Sequence, residues 1–329
     1  MRGPAISPEF APVFRAHADA SGAMSFARFM DLALYHPEVG YYRQERARIG
    51  YGGETDFFTA STSGPLFGEL VVAACGALLQ ASGRDPRAHA FVEIGAEQAG
   101  GILSGVEHPF ASARAVRVGE VTTLSGDCVV FSNELFDAQP CIRTVVRGGR
   151  WRELGVRLED EHLVEIELTG DPNLADVARE GSFPEGYHFD RPEAATTLAE
   201  AIAAQPWQGL FVAFDYGKTL RQLLEETPAG TARAYVRHTQ SNALLANPGQ
   251  QDLTCHVCWD WLESALVRKG FSTPLLVTQE SFFIRNAGEF IARVSTAEAA
   301  RFSRRKVALL QLLHPSHLGQ KFQVLHAIR

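Results

Sequence analysis

The chain has 329 residues, with 31 Lys and Arg side chains against 38 Asp and Glu, for a formal net charge of −7. Hydrophobic residues make up 46% and charged residues 21% of it, which excludes disorder as its dominant state. The length suggests about two domains of ~150 residues, and the acidic balance argues against a general nucleic-acid binder.

The N-terminus lacks the basic and apolar regions of a signal peptide, and no apolar run reaches the ~18 residues of a membrane-spanning helix. We therefore expect a cytoplasmic protein that binds neither membrane nor nucleic acid. Apolar residues at helical spacing predict a helix over residues 7–35, with Ser25 as a cap. A loop rich in glycine and charge follows over residues 40–62. A second apolar helix is predicted over residues 65–81.

Three short apolar runs have the composition of buried parallel strands. They cover residues 90–94, 128–131 and 210–214. The first contains Glu93, and the other two lead into the acids Glu134 and Asp215. Ligands bind at the carboxyl ends of strands in open α/β sheets, so these acids mark a candidate site.

The segment between the second and third strands alternates polar and apolar residues, with Gly148 and Gly149 as a hairpin turn. We predict an antiparallel β insertion over residues 140–189. Asp190 then predicts the N-cap of a helix. Ser295 and Glu298 form a capping box for a helix that ends near Leu313, and residues 321–328 predict an edge strand.

The five cysteines do not have the number or spacing of a disulfide framework. Cys255 and Cys258 form a CxxC pair that encloses His256. A zinc ion normally takes four ligands, and no second ligand pair lies nearby. We therefore expect no metal site.

Several blocks together resemble the MidA-like family of class I S-adenosylmethionine (SAM)-dependent methyltransferases, the family of the mitochondrial complex I assembly-factor protein arginine methyltransferase. The similar blocks are residues 26–30, 35–42, 56–59, 65–69, 133–140, 215–217, 248–249, 252–257, 312–315 and 319–322. Their order and spacing agree over most of the chain, outside its N-terminal residues and a stretch after Gly95. The resemblance carries specific expectations about fold, cofactor and substrate.

The resemblance implies an α/β fold: a class I methyltransferase Rossmann-like sheet with an N-terminal helical segment and an antiparallel β insertion. It divides the chain into residues 1–82, the Rossmann-like residues 83–139 and 190–329, and the insertion. It implies SAM as cofactor and a protein arginine as substrate. A homodimer is left open.

The resemblance also implies cofactor contacts at Glu93 and Gly95, and at Asp56, Phe57 and Thr59 where the N-terminal loop folds over the site. The catalytic candidates are Asn133, Glu134, Asp137, Asp215 and His256.

Each catalytic candidate has a structural alternative. Glu134 and Asp137 are three residues apart, so one helical turn would place both carboxylates around a guanidinium; alternatively, they cap local backbone. Asp215 contacts substrate or forms structural hydrogen bonds. His256 accepts a proton or anchors a turn with Asp252 and Thr254.

The chain departs from the family in the glycine-rich cofactor turn after Glu93, where only Gly95 remains in register and Glu97 adds a negative charge. Gly95 and Ser132 are 37 positions apart, although a complete passage of two helices and a strand needs on the order of 60. The sheet is therefore predicted to be shortened here. A strand over residues 116–120 would make Glu120 a displaced acid for the cofactor ribose.

This departure leaves an alternative function. A methyltransferase fold that no longer binds SAM would act as an interaction or assembly factor. An open cleft beyond Gly95 favours the enzyme, whereas a cleft filled by Glu97 or residues 98–115 favours the alternative. Gly100 and Gly101 could form a replacement turn.

Overall fold

A computed structural model describes residues 5–44, 64–97, 100–170, 172, 174, 177, 181–299 and 303–329. The α-helices are α1 (Phe10–His17), α2 (Phe26–Tyr35), α3 (Pro65–Ala81), α4 (Glu193–Ala203), α5 (Leu220–Glu226), α6 (Trp259–Arg268), α7 (Gln279–Asn286), α8 (Gly288–Ala297) and α9 (Arg304–Leu313). The strands are β1 (Ala23–Ser25), β2 (Ala90–Ile94), β3 (Ser112–Val116), β4 (Gly126–Asn133), β5 (Ile142–Arg147), β6 (Arg150–Glu159), β7 (His162–Glu167), β8 (His188–Arg191), β9 (Trp207–Asp215), β10 (Gly217–Lys218), β11 (Arg233–Val236), β12 (Thr239–Ser241), β13 (Asp252–Thr254), β14 (Val257–Cys258), β15 (Leu275–Thr278) and β16 (Gln323–Ile328).

The central sheet has six strands in the order β15-β16-β9-β4-β2-β3. Strands β3, β2, β4 and β9 are parallel, and β16 runs antiparallel to both of its neighbours. This arrangement confirms the predicted Rossmann-like α/β fold and all three predicted strands.

The strands are apolar on both faces because helices cover both sides of the sheet. Along β9, Leu210, Val212 and Phe214 pack on one side with α3, α7 and α9. Phe211 and Ala213 pack on the other side with α4 and α6. This double cover fixes the strands in place, so that the carboxyl ends of β2, β4 and β9 share one edge.

The central sheet is shortened between β2 and β4, as the residue count predicts. Only β3 intervenes between β2 and β4, and the described residues of that passage contain no helix. In the usual doubly wound order 3-2-1-4-5-6 another strand lies outside this position, whereas here β3 ends the sheet.

The strand predicted over residues 116–120 was misplaced, because β3 ends at Val116. The following residues form a turn. In it the Arg117 N–H donates to Glu120 Oε2 at 2.8 Å and the Glu120 N–H donates to the Arg117 carbonyl at 3.0 Å.

A second sheet has the order β1-β6-β5-β8, with β7 on the other side of β6. It contains the predicted hairpin, whose turn has positive φ at Gly148 (56°) and Gly149 (72°). The sheet also takes in β1 from the N-terminal segment. The division of the chain into three units stays a prediction.

The prediction that residues 7–35 are helical holds for α1 and α2 but was wrong for residues 18–25 between them. Asp19 Oδ1 accepts the N–H groups of Ser21 and Ala23 at 2.8 and 3.1 Å. This turn ends α1 and directs β1 onto β6. Ser25 caps α2 as predicted, accepting the Arg28 N–H at 3.1 Å.

Three further local predictions were wrong because long-range packing overrode local pattern. Asp190 lies in β8, and α4 begins only at Glu193. Ser295 lies inside α8, and the last helix is capped by Ser303 instead. Strand β16 lies between β9 and β15, not at an edge.

Of the described helices, none is both long and apolar enough to cross a bilayer.

Asp190 links the second sheet to the chain around Thr231. Its side chain is 1% exposed, and its Oδ1 accepts from Arg143 Nε at 3.0 Å. Its Oδ2 accepts the N–H groups of Thr231 and Ala232 at 2.7 and 2.8 Å.

We expect Asp190→Ala to lower the free energy of unfolding by about 3–5 kcal/mol, because it leaves Arg143 buried without this partner. The matched control, Arg221→Ala, breaks an exposed helical pair with Glu225 and should cost about 0.3–0.5 kcal/mol. Urea unfolding measures both. Equal losses in the two variants would show that Asp190 is not a structural link.

Candidate active site

A cavity of about 1540 Å³ lies at the carboxyl edge of the central sheet. It is larger than the ~300–1000 Å³ typical of a single ligand pocket. Its walls come from the ends of β2, β3 and β4, from the N-terminal residues Tyr35 and Tyr42, and from the small sheet β12-β11-β13. The cavity can therefore hold a cofactor and a second reactant together.

One wall is the loop that follows β4. Asn133 ends the strand, and Glu134 has a φ of +51°, a backbone conformation that is uncommon for a residue with a side chain. The Glu134 N–H donates to the Phe214 carbonyl at 2.9 Å. Asn133 Nδ2 donates to Glu134 Oε1 at 3.0 Å. Such strain persists only where surrounding contacts impose it.

Asp215 imposes this loop conformation from behind. It is fully buried, and its Oδ2 accepts the N–H groups of Phe136 at 2.8 Å and Asp137 at 3.4 Å. Its Oδ1 accepts the Tyr216 N–H at 2.8 Å. Burial raises its pKa to about 7. Asp215 is not part of the cavity lining, so its contacts are those of the structural alternative.

Glu134 and Asp137 both line the cavity. Burial, and then the nearby Asp215, raise the pKa of each carboxyl well above its usual range. Within the described part of the chain, Asp137 Oδ1 and Asn133 Oδ1 are buried without a hydrogen-bond partner. Buried polar atoms in this state call for a ligand or water.

A third carboxylate on this wall, Asp252 of β13, was missed as a candidate. It is 4% exposed, lines the cavity and accepts the Tyr42 hydroxyl at 2.9 Å. The sequence did offer one indication of Asp252: it is the first residue of the block 252–257, which is part of the family resemblance. Its proximity to Asp137 could not be deduced, because 115 positions separate the two residues.

Two tyrosines of the N-terminal segment were missed as well. The Tyr35 and Tyr42 rings stack with centroids 5.5 Å apart. The Tyr35 hydroxyl donates to the Ala138 carbonyl at 2.9 Å. Burial raises the pKa of both phenols well above their usual range, so both remain neutral hydrogen-bond donors.

His256 also lines the cavity. Burial, with the nearby charges of Lys218 and Arg233, lowers its pKa to about 4. The ring is therefore neutral near pH 7 and a weak proton acceptor. Its backbone N–H donates to Thr231 Oγ1 at 3.3 Å.

The part of the cavity at the end of β2 contains Glu93 and Gly95, the two predicted cofactor contacts among the described residues. Glu93 Oε2 accepts the Ile102 N–H at 2.7 Å, and burial raises its pKa to about 7. Gly101 has a φ of +62°, and a Cβ there would lie 2.2 Å from Glu93 Oε2. Gly101 therefore packs directly against the Glu93 carboxyl; a replacement cofactor turn formed by Gly100 and Gly101 stays a prediction.

Glu97 and Glu120 line the same side of the cavity, Glu120 from the turn after β3. The other predicted cofactor contacts, Asp56, Phe57 and Thr59, lie outside the described residues. In the described ranges, no group of three or more His, Cys, Asp or Glu side chains is arranged to hold a metal ion. The catalytic and cofactor roles of the predicted site residues stay predictions.

Fold and site together define a Rossmann-like α/β protein with an acid-rich ligand cavity at the carboxyl edge of its sheet. Two crystal structures of superfamily members from Burkholderia thailandensis share the whole fold. One, bound to S-adenosyl-homocysteine, is 23% identical with a TM-score of 0.83, and the alignment covers 99% of this chain and 95% of the other. The second is a native structure, 24% identical, with a TM-score of 0.78 and the same coverage.

A curated relative from Danio rerio, protein arginine methyltransferase NDUFAF7, mitochondrial, is 22% identical over 370 residues, which cover 92% of this chain and 83% of the relative. The family model for S-adenosyl-L-methionine-dependent methyltransferases matches residues 110–276, half of the chain. The chain belongs to this family, and its cofactor is accordingly SAM.

The residues present fit this cofactor. The cavity beyond Gly95 is open, although Glu97 lines it. SAM carries two positive charges, a sulfonium and an ammonium, and one carboxylate; the acids Glu97 and Glu120 on this side suit the two positive charges. The alternative of a fold without SAM binding gains no support from the structure or the relatives.

The raised pKa of Glu93 predicts a pH dependence of stability. Its carboxyl has a pKa of about 7 in the folded chain against an ordinary 4.5, so between these pH values the folded state holds the extra proton. Its contribution is complete below pH 4.5 and is lost as the pH rises through 7.

Glu93→Gln removes this titration, so the unfolding free energy of the variant should gain on wild type by about 1.4 kcal/mol per pH unit between pH 5 and 7. Urea unfolding at pH 5, 6 and 7 measures the difference. Parallel curves for the two proteins would contradict the prediction.

The replacement turn predicts an effect of Gly101→Ala on cofactor affinity. The new Cβ would displace Glu93 from Ile102, so we expect the Kd for S-adenosylhomocysteine to rise at least about tenfold, or 1.4 kcal/mol. Gly105→Ala is the matched control, because Gly105 also has a positive φ (72°) but a Cβ there meets nothing within 4 Å. Calorimetry should find little change in the control; equal Kd values in both variants would count against the turn.

Proposed function

We propose that this protein transfers a methyl group from SAM to an arginine guanidinium of a protein substrate. The observation that carries the proposal is the convergence of Glu134, Asp137 and Asp252 on one wall of the cofactor cavity. SAM, when bound, supplies an electrophilic methyl group on its sulfonium. The remaining task of the protein is to bind, orient and deprotonate the acceptor.

The hydrogen-bonding groups of this wall are complementary to those of a guanidinium. A guanidinium offers five N–H donors and no acceptor. The wall offers carboxylate oxygens and the amide oxygen of Asn133, and two of these atoms are buried without partners in the described structure. Paired carboxylates grip a guanidinium through charge-assisted bonds.

The raised pKa values suit the same acids to proton transfer. Methylation requires the guanidinium to give up a proton, and a carboxylate poised nearer neutrality accepts it more readily than an ordinary one. Glu134 or Asp137 is better suited to this step than His256, whose pKa of about 4 makes it a weak base. We assign Asp215 a positioning role, because it contacts only the loop.

The relatives support this reading without deciding it. The Danio rerio relative is named a protein arginine methyltransferase, at 22% identity. A protein partner follows as part of the proposal. The cytoplasmic location, the homodimer and the lack of membrane or nucleic-acid partners remain predictions.

The first test is calorimetry with S-adenosylhomocysteine. We expect a Kd tighter than about 100 μM, or about −5.5 kcal/mol. No heat at millimolar ligand would overturn the proposal. Transfer of labelled methyl from SAM to arginine-containing peptides, with the modified atom located by mass spectrometry, then tests the acceptor. Label on lysine or on a carboxylate would contradict arginine.

Glu134→Gln and Asp137→Asn should each lower the rate of methyl transfer about 10²–10³-fold, because each removes one preorganised charge from the acceptor site. The Kd for S-adenosylhomocysteine should change little, since neither residue lies in the cofactor turn. Glu225→Gln, an exposed acid on α5, is the control and should keep the wild-type rate. Unchanged rates in both wall variants would exclude the guanidinium cradle.

A further inference from the structure

The small sheet β12-β11-β13 forms one wall of the cavity, and one of its faces is polar. Arg233 and Tyr235 of β11, Gln240 of β12, and Asp252 and Thr254 of β13 all line the cavity. These residues alternate along their strands, as expected for one face of a sheet.

The pairing register places three of these residues in one row across the sheet. Tyr235 lies opposite Gln240 on one side and opposite Asp252 on the other. The Tyr235 hydroxyl donates to Gln240 Oε1 at 2.9 Å. The row therefore runs from the exposed strand β12 to the buried carboxylate of the proposed acceptor site.

Strand β12 is an edge strand in the described structure, where it pairs with β11 alone. A two-residue turn joins the two strands, with positive φ at Arg237 (46°) and His238 (62°), the geometry of a type I′ hairpin. In such a hairpin the pair beside the turn, here Val236 and Thr239, exchanges the backbone hydrogen bonds.

The next pair along, Tyr235 and Gln240, then does not exchange backbone hydrogen bonds, since bonded and non-bonded pairs alternate. The N–H and C=O of Gln240 consequently point away from β11, toward the open side of the sheet. An outward-facing donor and acceptor at an exposed edge are what an added strand needs.

We infer that the edge of β12 binds an extended segment of the protein substrate by main-chain pairing with Gln240. The inference rests on the proposed function. The occupant is an extended peptide that carries a cationic acceptor, because the row continues without a break from this edge to Asp252, and the cavity beyond it is lined by Glu134 and Asp137.

Strand spacing sets the position of the acceptor. Adjacent strands lie ~4.8 Å apart, so a peptide beside β12 would lie about 14 Å from β13, farther than one side chain extends. The acceptor arginine therefore lies just outside the paired residues, where the segment leaves the edge and enters the cavity. Residues that favour strands should be preferred beside it, and proline within the paired segment should be excluded.

Two substitutions at one position test the inference. Gln240→Pro removes the outward N–H without removing a main-chain hydrogen bond of the hairpin, although it also removes the side-chain bond with Tyr235, and proline is tolerated on strand edges. Gln240→Ala keeps the N–H and removes only the side-chain contact with Tyr235. The probe is a pool of short random peptides, each with one arginine, labelled from SAM by the full-length protein.

We expect Gln240→Pro to raise the KM for the peptide pool at least about tenfold. Gln240→Ala should change this KM less than threefold. Both variants should keep the wild-type Kd for S-adenosylhomocysteine. Equal KM values for wild type and Gln240→Pro would overturn the inference. So would a wild-type protein that binds S-adenosylhomocysteine and labels no peptide. Loss of S-adenosylhomocysteine binding in wild type would instead refute the proposed function, and the docking site with it.

A second measurement keeps the test independent of how Gln240→Pro folds. Single backbone N-methyl groups are placed at successive positions of one labelled peptide, and wild-type protein is used throughout. Labelling should fall at the position whose N–H bonds to the Gln240 carbonyl and not at its two neighbours, because successive N–H groups of an extended peptide face opposite sides. A uniform response along the peptide would exclude strand pairing.

Discussion

The cavity wall that carries Glu134 and Asp137 depends on one buried carboxylate. Asp215, at the end of β9, binds the backbone N–H groups of Phe136, Asp137 and Tyr216. These bonds hold the loop after β4 in the form that gives Glu134 its positive φ and turns its side chain and that of Asp137 toward the cavity. The Asp137 carbonyl in turn accepts the Cys255 N–H at 2.8 Å, which ties in the segment that carries Asp252 and His256.

The same arrangement places four acids close together, which costs electrostatic free energy. Glu134, Asp137, Asp215 and Asp252 share one region that is largely shielded from water, and Asp215 and Asp252 both raise the pKa of Glu134 and of Asp137. An isolated chain relieves this repulsion by holding protons on some of the acids. A bound cation would relieve this repulsion as well, which is consistent with the arginine acceptor proposed above.

The part of the cavity at the end of β2 is built from fewer residues. The passage from β2 to β4 contains one strand and no helix in its described residues. The buried Glu93 carboxyl accepts the Ile102 N–H and leaves room at Gly101 only for a residue without a Cβ. A shortened family member can thus keep an open cavity.

Elements with strong local signals were predictable: the apolar strands β2, β4 and β9, the helix α3, the hairpin at Gly148 and the missing part of the sheet all follow from pattern or residue count. Local capping signals were less reliable. Asp190 and Ser295 resemble helix caps, but a carboxylate or hydroxyl binds whichever N–H groups the tertiary structure brings to it. Asp190 binds Thr231 and Ala232, 41 and 42 positions away.

The sequence by itself determined the fold class, the family and the acids that end the central strands, because apolar runs and short motif blocks are local features of the chain. Tertiary structure alone decided which of those acids face the cavity. In the folded chain Asp215 lies behind the cavity wall, whereas Asp252 lies on it and bonds to Tyr42, 210 positions away in the sequence. Buried hydrogen bonds between such distant residues are long-range constraints that no local pattern records.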